Sequence, residues 1–220
     1  MSLNYQVWNI TVTATAFSSL ALPRELTDNL STLGYTQMTP VQAQSLPVIL
    51  QGKDIIAQAK TGSGKTAAFS LGVLAKLNVK RFRIQSLILC PTRELAEQVA
   101  EEVRKLARGI HNIKVLTLCG GVSIGPQIGS LEHGAHIIVG TPGRVDDHIR
   151  KGTLRLDDVE TLVLDEADQM LDMGFHDTLD AIVECIPNQR QTLLFSATYP
   201  KSIAAIAERV LSNPEMIKVE

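Results

Sequence analysis

The sequence predicts an α/β domain: a doubly wound, mostly parallel sheet with helices on both faces. Three observations predict it. Short apolar runs recur from Asp54 onward, as "DIIAQA", "SLILC", "IKVLTL", "HIIVG", "TLVLD", "TLLFS" and "MIKVE". They are continuously apolar rather than alternating, as strands buried on both faces should be. Segments of helical periodicity such as "RELAEQVAEEVRKLA" separate them, and alternation of this kind builds parallel sheets. The 220 residues, 45% hydrophobic and 20% charged, suit one domain of ordinary globular composition.

Residues 1–16, "MSLNYQVWNITVTATA", lack the basic start and unbroken apolar core of a secretory signal. They read as an extension, native or appended, with the domain proper over 17–220. A helical prelude follows, "LPRELTDNLSTLG" then "TPVQAQSLPVILQG". "TPVQ" has the form of a capping box: Thr39 as N-cap, Pro40 at the first helical position, and Gln42 reaching back. A Gln side chain also matches adenine N6 and N7. The box would then hold Gln42 while it reads a base, and Phe17 upstream would stack on the ring.

After the first apolar run comes "AKTGSGKT", Ala59 to Thr66, ahead of the helical "AAFSLGVLAKL". Glycine costs backbone entropy, so its concentration at a strand-to-helix junction needs a reason. The reason is a phosphate: Thr61, Gly62, Ser63 and Gly64 let successive N–H groups point inward, and the helix N-terminus adds positive charge. Lys65 would reach the β/γ-phosphates and the Thr66 hydroxyl would ligate Mg²⁺. The alternative, a glycine-rich linker, needs neither the strand before it nor the lysine within it. Ala59 stands where a generic P-loop has its first glycine.

Three helices begin with a cation, where the helix dipole disfavours one by a few tenths of a kcal/mol. Lys65 is the first. In "LCPTRELA", after Pro91, Thr92 reads as an N-cap and Arg93 enters the first turn; in "VGTPGRVDDH", Thr141 caps, Pro142 opens the helix and Arg144 follows Gly143. A bound anion turns the penalty into a gain. Besides the nucleotide, two further anion sites on one sheet edge suggest a polyanion, with "CGG" (Gly120, Gly121) offering backbone N–H groups nearby. The alternative is that both arginines reach surface carboxylates such as Glu94 or Asp147.

"TLVLDEAD" ends an apolar run in acids. Downstream of a P-loop, Asp165 would hold Mg²⁺ and Glu166 would orient and deprotonate the attacking water; acids that merely satisfy a helix dipole are the alternative. Asp168 and "SAT", Ser196 to Thr198, would hydrogen-bond each other and report nucleotide state to the polyanion site.

Bulk properties exclude other classes. A net charge of −2 provides no global basic field, so nucleic-acid binding must come from local placement. The three cysteines lack metal spacing, and Cys90 and Cys119 close apolar runs, as buried thiols in a reducing compartment would. No run is long enough to span a membrane.

In order, Phe17 with "GYTQMTPVQ", "AKTGSGKT", "PTRELA", "GG", "TPGR", "DEAD" and "SAT" resemble the motifs of DEAD-box RNA helicases. The match runs from about Phe17 to the C-terminus; Met38 departs from it, standing where many relatives have proline. The resemblance implies the N-terminal RecA-like domain of an ATP hydrolase and helicase. It also implies Mg²⁺ and ATP bound by Gln42 and the P-loop, with RNA backbone held by Arg93, Gly121, Thr141 and Arg144. It further implies a second RecA-like domain, not present in these residues, that carries the arginine fingers. "MTPVQAQSLP", "LCPTRELAEQVA" and "TLCGG" are most similar to the family's bacterial ribosomal-RNA helicases. That implies a cytoplasmic, monomeric protein acting on ribosomal RNA in large-subunit assembly.

Two rival readings remain. "GVSIG", Gly121 to Gly125, fits the nucleophile elbow of serine hydrolases, with His148 and His176 downstream, although Pro126 makes a poor helix start. The other rival is a module that binds nucleotide without turning it over.

Overall fold

A computed structural model describes residues 15–219. All seven apolar runs are strands: β1 (Ile55–Gln58), β2 (Ser86–Leu89), β3 (Val115–Leu118), β4 (Ile137–Gly140), β5 (Thr161–Leu164), β6 (Gln191–Ser196) and β7 (Glu215–Lys218). They form one sheet in the order β3-β4-β2-β5-β6-β1-β7. Every pairing within it is parallel.

Successive strand residues face opposite sides, and the core divides accordingly. Ile55, Ala57, Ile88, Val139, Val163, Leu193 and Phe195 pack under α1 (Arg24–Thr32), α2 (Pro40–Leu50), α3 (Lys65–Lys76) and α4 (Arg93–Leu106). Ile56, Leu87, Leu89, Ile138, Leu162, Leu164 and Leu194 pack under α6 (Pro142–Arg150), α7 (Ala167–Asp172), α8 (His176–Glu184) and α9 (Lys201–Val210). The doubly wound expectation therefore holds, and holds for a wholly parallel sheet. Gly72 lets α3 lie against α2, since a Cβ there would come within 2.3 Å of Ile49 Cγ2.

One helix went unread in the sequence. α5 (Gly125–Glu132) buries none of its residues fully and so lacks an apolar stripe. Pro126 sits in its first turn, where a missing N–H costs nothing. The expectation that Pro126 makes a poor helix start is thus corrected.

Residues 1–14 of the expected extension lie outside the described residues. Thr15 and Ala16 already join the domain: Ala16 bridges Gln37, and Met38 N–H donates to Thr15 O at 2.6 Å. A proline at 38 would lack that donor. At the outer edge of the sheet, Arg104 donates to Val115 O at 3.0 Å and approaches the Thr117 hydroxyl at 3.3 Å, capping β3.

Away from the motif-bearing edge, Asp54 ties three segments together. Its carboxylate accepts from Thr192 N–H at 2.8 Å and Ser212 N–H at 2.7 Å, while burial raises its pKa. Asp54→Ala would strand two backbone donors. It is expected to cost about 2–4 kcal/mol of stability, read as a lower urea midpoint; an unchanged midpoint would refute this role.

Candidate nucleotide and polyanion site

The motif residues that follow strands leave the sheet at one edge, because the ladders continue one step past the strands. Ala59 N–H donates to Ser196 O at 3.0 Å, Cys90 N–H to Gly140 O at 2.9 Å, Thr141 N–H to Leu118 O at 3.1 Å and Asp165 N–H to Leu89 O at 3.0 Å. Ala59 therefore acts as a strand residue, and its φ is not positive. That explains why alanine serves where a glycine was expected. Strand order then divides the edge. The loops after β1, β5 and β6 form one half, and those after β2, β3 and β4 the other.

In the first half, Gly64 caps α3 at φ 93°, and a Cβ there would meet Gln42 Nε2 at 2.7 Å. Gln42 is held as the capping-box form requires: its Oε1 accepts from Thr39 N–H at 2.9 Å. Its Nε2 donates to Gly64 O at 3.0 Å. An amide offers two donors and two acceptor lone pairs, so each end of Gln42 keeps one site for a base. Phe17 is 4% exposed and stacks on Tyr35 at 6.2 Å. Most of its surface is thus committed to the core.

Lys65 begins α3, is 3% exposed, and lies 3.3 Å from Asp165 Oδ1 and 2.5 Å from Glu166 Oε1. Thr61 Oγ1 also donates to Glu166 Oε1, at 2.8 Å. Glu166 caps α7 in the left-handed region, φ 51°, a strain of about 1–3 kcal/mol that its partners must hold. Both Asp165 oxygens, Glu166 Oε2, Ser63 Oγ and Ser196 Oγ are buried without a hydrogen bond. Such atoms ordinarily cost about 1–3 kcal/mol each, and a hard cation with phosphate oxygens would satisfy this donor set. Thr66, the second residue of α3, is half-buried beside them.

One lysine serves two buried carboxylates. Burial pushes Asp165 up to about 6, against the opposing pull of Lys65. The folded-state pKa thus lies above the ordinary 3.8. The Asp165 contribution to stability is present below the unfolded value and is lost as pH rises through about 6. Asp165→Asn should therefore raise the thermal midpoint of the nucleotide-free protein at neutral pH, where the buried carboxyl is charged. A lowered midpoint would contradict this.

Asp168 Oδ2 accepts from Thr198 N–H at 3.0 Å and from the Thr198 hydroxyl at 2.8 Å. The "SAT" segment thus meets Asp168 through Thr198, whereas Ser196 Oγ is buried without a hydrogen bond.

In the second half, Thr92 caps α4 by accepting from Leu95 N–H at 3.3 Å. Arg93 follows, half-exposed and paired with Glu97 at 2.9 Å. Its carboxylate is therefore one turn on, not the adjacent Glu94. Thr141 stands at the N-cap position of α6, but its side chain makes no capping bond. Pro142 is buried in the first turn, beside Gly143. Arg144, its side chain 12% exposed, bonds Gln127 Oε1 at 3.0 Å and Val122 O at 2.9 Å, with Asp147 at 3.9 Å. Its visible work is to hold the loop after β3. Gly120 and Gly121 lie on that loop, Gly121 at φ 81° and exposed, with its Cβ position 3.6 Å from Arg93 Nη1. Pro91 is buried between β2 and α4.

The serine-hydrolase rival loses His148 as a base. Ser123 is exposed, and the His148 ring nitrogens face Thr153 and Gln127 at 2.8 and 2.9 Å. Cys90 and Cys119 are buried thiols as expected, whereas Cys185, which closes no apolar run, is exposed.

The model of DEAD/DEAH box helicases matches residues 39–206. This chain belongs to that family. It is 58% identical over 207 residues to the ATP-dependent RNA helicase DbpA of Escherichia coli (strain K12), covering 94% of this chain and 45% of that protein. It is 50% identical to the DEAD-box ATP-dependent RNA helicase CshA of Geobacillus kaustophilus, covering 94% and 44%. A solved DEAD box protein from Methanococcus jannaschii superposes with a TM-score of 0.89 at 39% identity, covering 94% of this chain and 56% of that one. The parallel sheet and its order are accordingly those of a DEAD-box RecA-like domain. The chain spans under half the length of these two curated relatives. No helix among the described residues is long and apolar enough to cross a membrane.

Proposed function

We propose that this chain is the ATP-binding domain of a DEAD-box RNA helicase, with Mg-ATP on the β1–β5–β6 half of the edge and RNA backbone on the β2–β3–β4 half. The observation that carries the reading is the division of the motifs by strand order. Gln42 reads adenine, and the P-loop N–H groups with Lys65 cradle the phosphates. Thr66 and Asp165 would hold Mg²⁺, whose charge would offset that of the phosphates. Phosphate binding would draw Lys65 off Glu166, freeing that carboxylate to take a proton from water. Asp168 and Thr198 would pass the change across to Arg93, Gly121, Thr141 and Arg144. Arg93 meets RNA by exchanging Glu97 for a phosphate.

The whole protein would couple hydrolysis to duplex remodelling through a second RecA-like domain. The resemblance to ribosomal-RNA helicases favours ribosomal RNA and large-subunit assembly as its setting. The two buried, unbridged thiols fit a reducing, cytoplasmic compartment. A monomer follows by the same resemblance.

Calorimetry tests the base site. ADP should bind more tightly than GDP, and Gln42→Ala should erase that preference while retaining fold. Equal affinities for ADP and GDP in the parent would refute the assignment.

A further inference from the structure

Gln127, on the helix that the sequence did not reveal, sits at the centre of a network on the polyanion half. Its Nε2 donates to Cys119 O at 3.0 Å, and its Oε1 accepts from Arg144 Nη1 at 3.0 Å and faces His148 Nε2 at 2.9 Å. Arg144 can only donate, so the amide orientation is forced: oxygen toward Arg144, nitrogen toward Cys119. His148 must then donate from Nε2, which in the neutral ring leaves Nδ1 as acceptor 2.8 Å from the Thr153 hydroxyl, whose one proton is shared with His148 O at 3.2 Å. His148 is fully buried, so this arrangement is locked from beneath.

The network grips the loop at two carbonyls that flank the glycines, Cys119 O through Gln127 and Val122 O through Arg144. In a trans peptide the carbonyl and the following N–H point in opposite directions. Drawing Cys119 O and Val122 O inward therefore turns Gly120 N–H and Ser123 N–H outward. Among the described residues neither N–H donates to a backbone carbonyl. Gly121 to Ser123 are exposed.

We propose that Gln127 and His148 are positioning residues that preset the Gly120 and Ser123 amides to donate to an RNA phosphate. This rests on the reading that RNA backbone crosses this half of the edge. It adds Ser123 to the contact surface. It also gives Arg144 an indirect part, holding the loop rather than meeting phosphate with its own charge. Preset donors lose little freedom on binding, and hydrogen bonds to a charged group are the strong kind.

The test is fluorescence anisotropy of labelled single-stranded RNA with the 220-residue protein, at several salt concentrations. Gln127→Leu and Gln127→Glu are compared with Arg93→Ala, and ADP affinity is the control. Gln127→Glu keeps an acceptor for Arg144 but cannot donate to Cys119 O. Both Gln127 variants should weaken RNA binding about tenfold, the value of one lost charge-assisted bond. ADP affinity should stay at the parental value in both, and the salt slope should stay parental in Gln127→Leu, because losing a neutral amide releases no counterions. Arg93→Ala should instead reduce the slope by about one. His148→Gln, which keeps a donor, should bind RNA better than His148→Leu. If the Gln127 variants bind as the parent while Arg93→Ala weakens, the positioning role is wrong and the RNA reading stands. If all bind as the parent, the RNA reading itself falls. A slope change of about one in Gln127→Leu would assign the effect to Arg144's charge and overturn the amide mechanism.

Discussion

Glu166→Gln should remove ATP hydrolysis while leaving nucleotide affinity close to parental. Gln keeps the shape and can still accept from the Thr61 hydroxyl, which now bonds Glu166 at 2.8 Å. It cannot take a proton from water, and general-base loss costs about 10²–10⁴ in rate. Its neutral amide also releases Lys65, which lies 2.5 Å from the carboxylate, so ATP affinity should rise slightly rather than fall. Lys65→Ala should do the reverse, leaving two buried carboxylates without their cation and nucleotide unbound. Single-turnover hydrolysis measured beside equilibrium binding separates the two. Parental turnover in Glu166→Gln would mean that another group is the base.

The chain alone should hydrolyse ATP slowly, and a second RecA-like domain should raise the RNA-stimulated rate by about 10³–10⁵, the usual worth of an arginine finger. The reason lies in where the edge arginines are held. Arg93 pairs with Glu97, and Arg144 bonds Gln127 and Val122, both on the half of the edge away from β1. Neither is free to meet a γ-phosphate beside Lys65. Comparing ATPase rates with and without single-stranded RNA, for residues 1–220 and for a chain carrying the second domain, is decisive. Full RNA-stimulated turnover by the short chain would refute the split site.

The inner strands were legible because they are buried on both faces, whereas the edge strands β3 and β7 are half-exposed and carry Thr117 and Lys218 among their apolar residues. The P-loop and acidic motif were legible because phosphate and metal demand particular residues at fixed spacing. What escaped notice depends on reach between distant segments. Asp54 looks like any polar residue before a strand until Thr192 and Ser212 are seen to donate to it. Gln127 lies on a helix with no apolar stripe, and nothing in "GPQIGSLE" signals that Arg144 and His148 meet it. The Thr61 hydroxyl was read with the phosphate loop, yet it bonds Glu166 more than a hundred positions away. Glu97 was within reach of sequence reasoning, since residues four apart share a helix face. The adjacent Glu94 and the later Asp147 drew attention instead.

The single bond from Gln42 Nε2 to Gly64 O has a kinetic meaning. On the proposed assignment, the side chain that would recognise the base also braces the last glycine of the phosphate loop. A mismatched base that pulls on Gln42 also disturbs the N–H groups that must align the γ-phosphate. Discrimination between nucleotides would then be expressed in the speed of the chemical step as well as in occupancy. Fidelity would then arise because a wrong ligand, even when bound, leaves the catalytic geometry imperfect.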